Sequence, residues 1–269
     1  MVSSPRFYQA VIILGLLVSS FRLVAQTAYT PNPDNIKARE AFRADAFGMF
    51  IHWGIYALMA DGEWVMEQKK ITAKDYEKLC RAFYPTDFNA DSIVLAAKRG
   101  GMQYITVTTR HHDGFSMFKT KYSTYNIIDA TPFKRDVIAE LVKACRTHGL
   151  KIFFYYSLLD WHHPEYATPD YKKNPWTGRP ATGDFAKYRR FMKDQLTELL
   201  TNYGKIDGLW FDGWWDYKTA PWQLDELYAY LHKLQPQILI VNNHHGSIVP
   251  GEDIQGFEKD LSHQITQVV

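Results

Sequence analysis

Asp212 is the sharpest chemical candidate in the chain. It closes the run Gly208-Leu209-Trp210-Phe211-Asp212 and precedes Gly213-Trp214-Trp215. A carboxylate framed by tryptophans suits a site where a sugar ring stacks while the carboxylate meets its anomeric carbon. The plainer alternative is a cap on the following segment. Paired histidines come next, in His111-His112-Asp113-Gly114. Successive side chains at a strand end point apart, so one imidazole is expected in the pocket and the other behind it. A neutral imidazole hydrogen-bonds sugar hydroxyls and equally binds metal. His52 carries the same two readings, beside that of a satisfied core histidine. Glu63-Trp64 becomes a hydroxyl-binding pair if it shares a rim with Asp212. Trp161, His162 and His163 are candidates for the wall of the same cleft.

Bringing these groups together takes several strand ends. Gly48 to Gly54 is a short apolar run bounded by glycines, and Tyr104 to Thr109 is β-branched. Ile152–Ser157, Gly208–Asp212 and Ile238–Asn242 complete five expected strands. Helical stretches alternate with them: Thr72 to Phe83, Asn89 to Arg99, Arg135 to His148, Phe185 to Tyr203 and Trp222 to Leu234. Strand, helix, strand in this order predicts parallel pairing with right-handed crossovers. An open doubly wound sheet normally carries a glycine-rich phosphate turn, and neither that turn nor a Walker loop is present. Polar or aromatic chemistry instead ends every strand: His52, Arg110-His111-His112, Tyr155-Tyr156-Ser157, Asp212 and Asn242-Asn243-His244-His245. That is the mark of an α/β fold of the (β/α)8, TIM-like barrel type. Five strands do not close eight, so either loops hide strands or the barrel is incomplete at its C-terminal end.

Composition narrows the classes further. With 46% hydrophobic residues in 269, the chain has material for one large core. A net charge of +2 argues against a nucleic-acid partner. Cys80 and Cys145 alone make neither a disulfide framework nor a zinc pattern. Residues 1–25 read as a signal peptide: Arg6, the apolar run Ala10 to Val18, and Ala25 before a cleavage point at Gln26. The run is too short to span a bilayer, so no stable membrane anchor is expected. The mature chain is expected to be exported, to the periplasm or the exterior.

In this order, the motifs resemble those of the α-L-fucosidases of glycoside hydrolase family 29. The matching pieces are FGMFIHWG (47–54), GEWVM (62–66), YITVTTRHHDGFSMF (104–118), PFKRD (132–136), FFYYSLLDWHHP (153–164), GLWFDGWW (208–215) and GEDIQGFEKDL (251–261). The resemblance implies a (β/α)8-type catalytic barrel over residues 26–269, truncated, with the family's C-terminal β-sandwich absent. It implies retaining hydrolysis of terminal α-L-fucose from fucosylated glycans, with no cofactor and no metal. Carried over by position, the nucleophile is Asp212. The sugar-binding residues are His52, Glu63, Trp64, His111, His112, Trp210 and one of Tyr155 or Tyr156, with Tyr156 preferred. Some relatives place an arginine where this chain reads Asn243-His244-His245, and His244 or His245 is expected to substitute. The second carboxyl of a retaining glycosidase, acid and then base, varies in position within the family. Glu258 is the best available residue here. Two rivals stand: a fucose-binding remnant without turnover, and a metal-dependent hydrolase using His52, His111, His112 and Asp212 as ligands.

Overall fold

Six strands lie side by side in chain order in a single sheet, all parallel: β1 (Gly48–Ile51), β2 (Tyr104–Arg110), β3 (Lys151–Ser157), β4 (Gly208–Asp212), β5 (Leu239–Asn242) and β6 (Ile254–Gln255). The structure is a computed structural model that describes residues 29–45, 47–166, 175–180, 182–244 and 246–256. The expected signal peptide, His245 and Glu258 lie outside the described residues. The sheet curls into a half-barrel with helices against its outer face, an incomplete (β/α) barrel. The strand count of five is corrected to six. β6 is only two residues long, too short for an alternating pattern to register, yet it pairs in register with Val241 and Asn242.

The five main helices are α1 (Pro33–Asp45), α2 (Ala90–Arg99), α3 (Val137–His148), α4 (Phe185–Asn202) and α5 (Leu224–Leu234). Side chains cap three of them, since Asn89, Asp136 and Asp184 accept first-turn backbone N–H groups. Gly149 closes α3 at φ +74°, the left-handed conformation a helix end favours. The single helix expected over 72–83 is two pieces, Ala73–Tyr76 and a 3₁₀ segment Glu77–Ala82. Tyr76, Cys80 and Phe83 are buried all the same, so the apolar stripe survives the tighter winding. Helix α1 has no counterpart among the sequence expectations. Asn35 is its one buried residue, and Ala38 and Phe42 on the same face pack, partly buried, against Phe153, Leu239 and Val241. Polar anchors add to that packing: Asn35 donates to the Ile238 carbonyl at 2.8 Å, and Arg39 pairs with Asp253 at 2.5 Å.

The period of two along each strand sorts the residues into two layers. Ile105, Val107, Ile152, Phe154, Tyr156, Leu209, Phe211 and Ile240 face the helices and form the main core. Phe153, Leu239 and Val241 face the concave side, where Phe42, Tyr104, Trp210 and Ile254 pack with them. One irregularity redirects a charged side chain. Thr108 pairs with Tyr155 but Arg110 pairs with Tyr156, so Thr109 is an extra residue in β2. This bulge turns Arg110 toward the helix layer, where unbroken alternation would have sent it into the concavity.

Candidate active site

The chemistry gathers where the strands end. Asp212 is the last residue of β4 and is 8% exposed. The hydroxyl of Tyr155, from β3, donates to Asp212 Oδ2 at 2.8 Å. The amide of Asn243, just past β5, donates to Oδ1 at 3.3 Å. His112 Nε2 stands 3.6 Å from Oδ2. Each carboxylate oxygen therefore has a neutral donor. Gly213 follows at φ +87°, and Asp212 is held from behind by Leu158, whose N–H donates to the Asp212 carbonyl at 2.7 Å.

The histidines cluster more tightly than their sequence positions predict. The rings of His111 and His112 lie 4.1 Å apart on the same side, correcting the expectation that one stands behind the other. β2 ends at Arg110, so both imidazoles stand in the turn that follows, where the strand's alternation no longer holds. His111 stacks on Tyr155 at 5.4 Å and meets His52 edge-on at 5.4 Å. His52 also stacks on Phe50 at 4.7 Å, and the loop carrying it is pinned by Trp53, which exchanges two hydrogen bonds with Thr108 Oγ1. Burial, reinforced by the neighbouring imidazoles, holds His111 well below its ordinary value. Burial likewise pushes His112 down to about 4, against the opposing pull of Asp212. Both rings are neutral near pH 7.

Tryptophans line the flank. Trp64 stacks on Trp215 at 5.6 Å and meets His112 edge-on at 5.1 Å. Trp161 is buried and backs both, 5.3 Å from Trp64 and 5.4 Å from His112. Trp210 stacks on Tyr155 at 5.5 Å on the concave face. Glu63 is partly buried beside Trp64, close enough to act on the Tyr56 hydroxyl.

Several expected residues are elsewhere. Tyr156 faces the helix layer, where its hydroxyl donates to Gln195 Oε1 at 2.8 Å and its ring lies under Arg110. The tyrosine beside Asp212 is Tyr155, because the two alternate across the sheet. His162 and His163 do not extend the cleft. His162 stacks on Tyr125 at 4.0 Å and pairs with Glu77 at 2.6 Å, while His163 packs against Phe191. Their backbone N–H groups both donate to Asp160 Oδ1 at 2.7 Å, which turns the chain away from the rim. His244 does not take the place of the arginine: its Nε2 hydrogen-bonds Glu252 at 2.9 Å and its Nδ1 accepts from Gly246. Asn243 contacts Asp212 instead. The four residues of the metal reading do not form a ligand set; among the described residues no three of His, Cys, Asp and Glu converge to hold a metal ion. Ser157 carried no signal of its own in the sequence, yet its Oγ lies 2.6 Å from His112 Nδ1.

Behind the rim sits a buried ion pair. Arg110, wholly enclosed, pairs with Asp160 and donates to the Ser157 carbonyl at 3.1 Å. Gly114 makes the close approach possible at φ +74°, since a Cβ there would stand 2.6 Å from Asp160 Oδ1. Asp113 is also buried, accepts from the Phe115 N–H and the Tyr76 hydroxyl, and is pushed up to about 6 by burial.

Comparison with known proteins agrees with this geometry. The profile of the family described as Alpha-L-fucosidase matches residues 16–268. Tissue alpha-L-fucosidase of Bos taurus is 29% identical over 242 residues, covering 81% of this chain and 49% of the relative. Plasma alpha-L-fucosidase of Homo sapiens is 30% identical over 235 residues, covering 78% and 47%. Alpha-L-fucosidase isoenzyme 1 from Paenibacillus thiaminolyticus superposes with a TM-score of 0.69 at 41% identity, over 77% of this chain and 50% of that one. AlfC from Lactobacillus casei, solved with α-L-fucose product, gives 0.69 at 36% identity, over 76% and 70%. The chain spans about half the length of the curated relatives it matches.

Proposed function

The chain belongs to the alpha-L-fucosidase family, and from that premise we propose that it removes terminal α-L-fucose from glycans with retention of configuration. Asp212 is the nucleophile in this reading. Its carboxylate attacks the anomeric carbon as the glycosidic C–O bond breaks, while a second carboxyl group protonates the departing oxygen. The fucosyl ester on Asp212 is then opened by water, whose proton returns to the second carboxylate. Glu258, outside the described residues, is that second group in our proposal. His52, Glu63, Trp64, His111, His112 and Trp210, with Tyr155 in place of Tyr156, hold the sugar so that its anomeric carbon meets Asp212. A relative, AlfC, has been solved with Fuca(1,6)GlcNAc, so a fucosylated N-acetylglucosamine is the first substrate to try.

One observation supports the reading above the others: a largely buried carboxylate at a strand's C-terminal end, met on both oxygens by neutral donors and flanked by neutral imidazoles and tryptophans. A fluorinated fucosyl reagent that accumulates the covalent intermediate tests it. Mass spectrometry should place the adduct on Asp212, and Asp212→Ala should abolish labelling and aryl fucoside hydrolysis. An adduct on another side chain refutes the assignment, and calorimetric fucose binding with no turnover would favour a binding role. We further propose export, supported by Arg6, the apolar run 10–18 and Ala25. N-terminal sequencing of the secreted chain, expected to start at Gln26, checks it.

A further inference from the structure

The contacts of His112 determine more than where the ring sits. Ser157 is fully buried at the end of β3, with Oγ 2.6 Å from His112 Nδ1 and 2.5 Å from the Leu159 carbonyl oxygen. A carbonyl only accepts, so the one hydroxyl proton of Ser157 belongs to Leu159. The oxygen then has only lone pairs to offer Nδ1, which must carry the ring hydrogen. Because the ring is neutral, Nε2 is left bare as an acceptor. It faces Asp212 Oδ2 across 3.6 Å, and that oxygen already accepts from Tyr155. Two acceptors set opposite each other form a slot for a group that donates.

We propose that Ser157 is a positioning residue: it locks His112 in the Nδ1–H tautomer, so that Nε2 receives a hydroxyl hydrogen from the ligand and never offers its own to Asp212. The assignment of that ligand as an L-fucoside rests on the function proposed above; the tautomer does not. The lock has two consequences. It keeps Asp212 free of a hydrogen bond from His112 that substrate would have to break. It also makes the slot selective for an O–H donor, so a sugar with fluorine at the position seated there loses the contact.

Long-range ¹H–¹⁵N correlation on the full chain, labelled at histidine, reads the tautomer directly. At pH 7 the parent protein should show His112 Nδ1 with a pyrrole-type shift and Nε2 with a pyridine-type shift. In Ser157→Ala the acceptor of the Nδ1–H is gone while Asp212 Oδ2 still faces Nε2 at 3.6 Å, so the two types should exchange, and L-fucose affinity by calorimetry should fall roughly tenfold. Ser157→Thr keeps a hydroxyl and should keep the parent tautomer. A parent protein already protonated at Nε2 overturns the proposal, even if Ser157→Ala does not fold. So does a Ser157→Ala protein with an unchanged tautomer, or one with an exchanged tautomer and undiminished affinity. A parent protein that binds no L-fucose would instead sink the fucoside reading, while its tautomer would still decide the role of Ser157.

Discussion

Replacing Gly213 by alanine tests the turn that presents Asp212. Gly213 has φ +87°, a region where a residue with a Cβ costs about 1–2 kcal/mol more than glycine. Space is short as well. A Cβ there would stand 2.6 Å from Leu159 Cβ and 2.8 Å from the Leu159 backbone nitrogen. Neither can be relieved by a rotamer change, since the backbone fixes both atoms, and overpacking of this kind costs about 1–3 kcal/mol. The two contributions together give about 2–5 kcal/mol. Gly62 is the control, with φ +79° and nothing within 4 Å of its Cβ position. Gly62→Ala should lose only the conformational part, about 1–2 kcal/mol. Urea unfolding followed by tryptophan fluorescence measures both, with unchanged denaturant slopes expected. Because Leu159 also anchors Ser157, and the Leu158 N–H holds the Asp212 carbonyl, Gly213→Ala should weaken fucose binding in molecules that remain folded. If Gly213→Ala costs no more than Gly62→Ala, the packing of this turn against Leu159 does not hold Asp212 in place.

Asp160→Ala should cost about 3–5 kcal/mol in the same unfolding assay, because it strands the enclosed Arg110 guanidinium; a loss under about 1 kcal/mol would show that the pair is not structural. Stability should also fall in acid. His112 is held to about 4 and His163 to about 3, both by burial, and His111 is held well below 6.5. Native values below the unfolded ones mean stabilisation that is present above about pH 6.5 and lost as pH falls toward 4. Asp113, pushed up to about 6, has the opposite sign: its contribution is present below its ordinary 3.8 and lost as pH rises through 6. Asp207 and Asp253 are raised also and share that sign. Three histidines outweigh this opposition, so the urea midpoint should be lower at pH 4.5 than at pH 7, and equal midpoints would contradict the balance. Glu258→Ala should slow hydrolysis of a fucosylated N-acetylglucosamine far more than that of a nitrophenyl fucoside, whose leaving group needs little protonation. Equal losses on the two substrates would remove Glu258 from the acid role.

The alternation of strands and helices is legible because long apolar runs bounded by glycine and caps leave few readings. β4 begins and ends where its sequence run does, at Gly208 and Asp212. What escapes has physical causes. Helix α1 offers only Ala38 and Phe42 as an apolar face and adds polar contacts through Asn35 and Arg39, too short a stripe to read. Tyr155 and Tyr156 cannot be told apart in the sequence because the face of a strand depends on its register with neighbours, and a bulge in β2 shifts that register midway. His111 and His112 read as facing opposite sides because a period of two is carried past Arg110, where β2 ends and a turn begins. Asn243 and Ser157 are small polar residues at strand ends, a common thing in any sequence. Only the pairing of β4 with β5 brings Asn243 to Asp212, and that of β2 with β3 brings Ser157 to His112.

The bulge also keeps an arginine off the face that carries Asp212. Arg110 and Asp160 are an ionised pair a few residues from the histidines, and an arginine on the concave face would stand among them. Sent to the helix layer, it is neutralised there, with the sheet between it and Asp212. On the concave side His111 and His112 are neutral, and Tyr155 and Asn243 donate without carrying charge. A protonated His112 at 3.6 Å from Oδ2 would attract the carboxylate by about 5 kcal/mol at an effective dielectric constant of about 20. Fucose brings no charge to the ground state, and positive charge develops at its anomeric carbon only as the glycosidic bond breaks. In the proposed reaction, a carboxylate whose donors Tyr155 and Asn243 carry no charge keeps its attraction for that moment, so keeping Arg110 off the rim would favour the transition state over bound substrate.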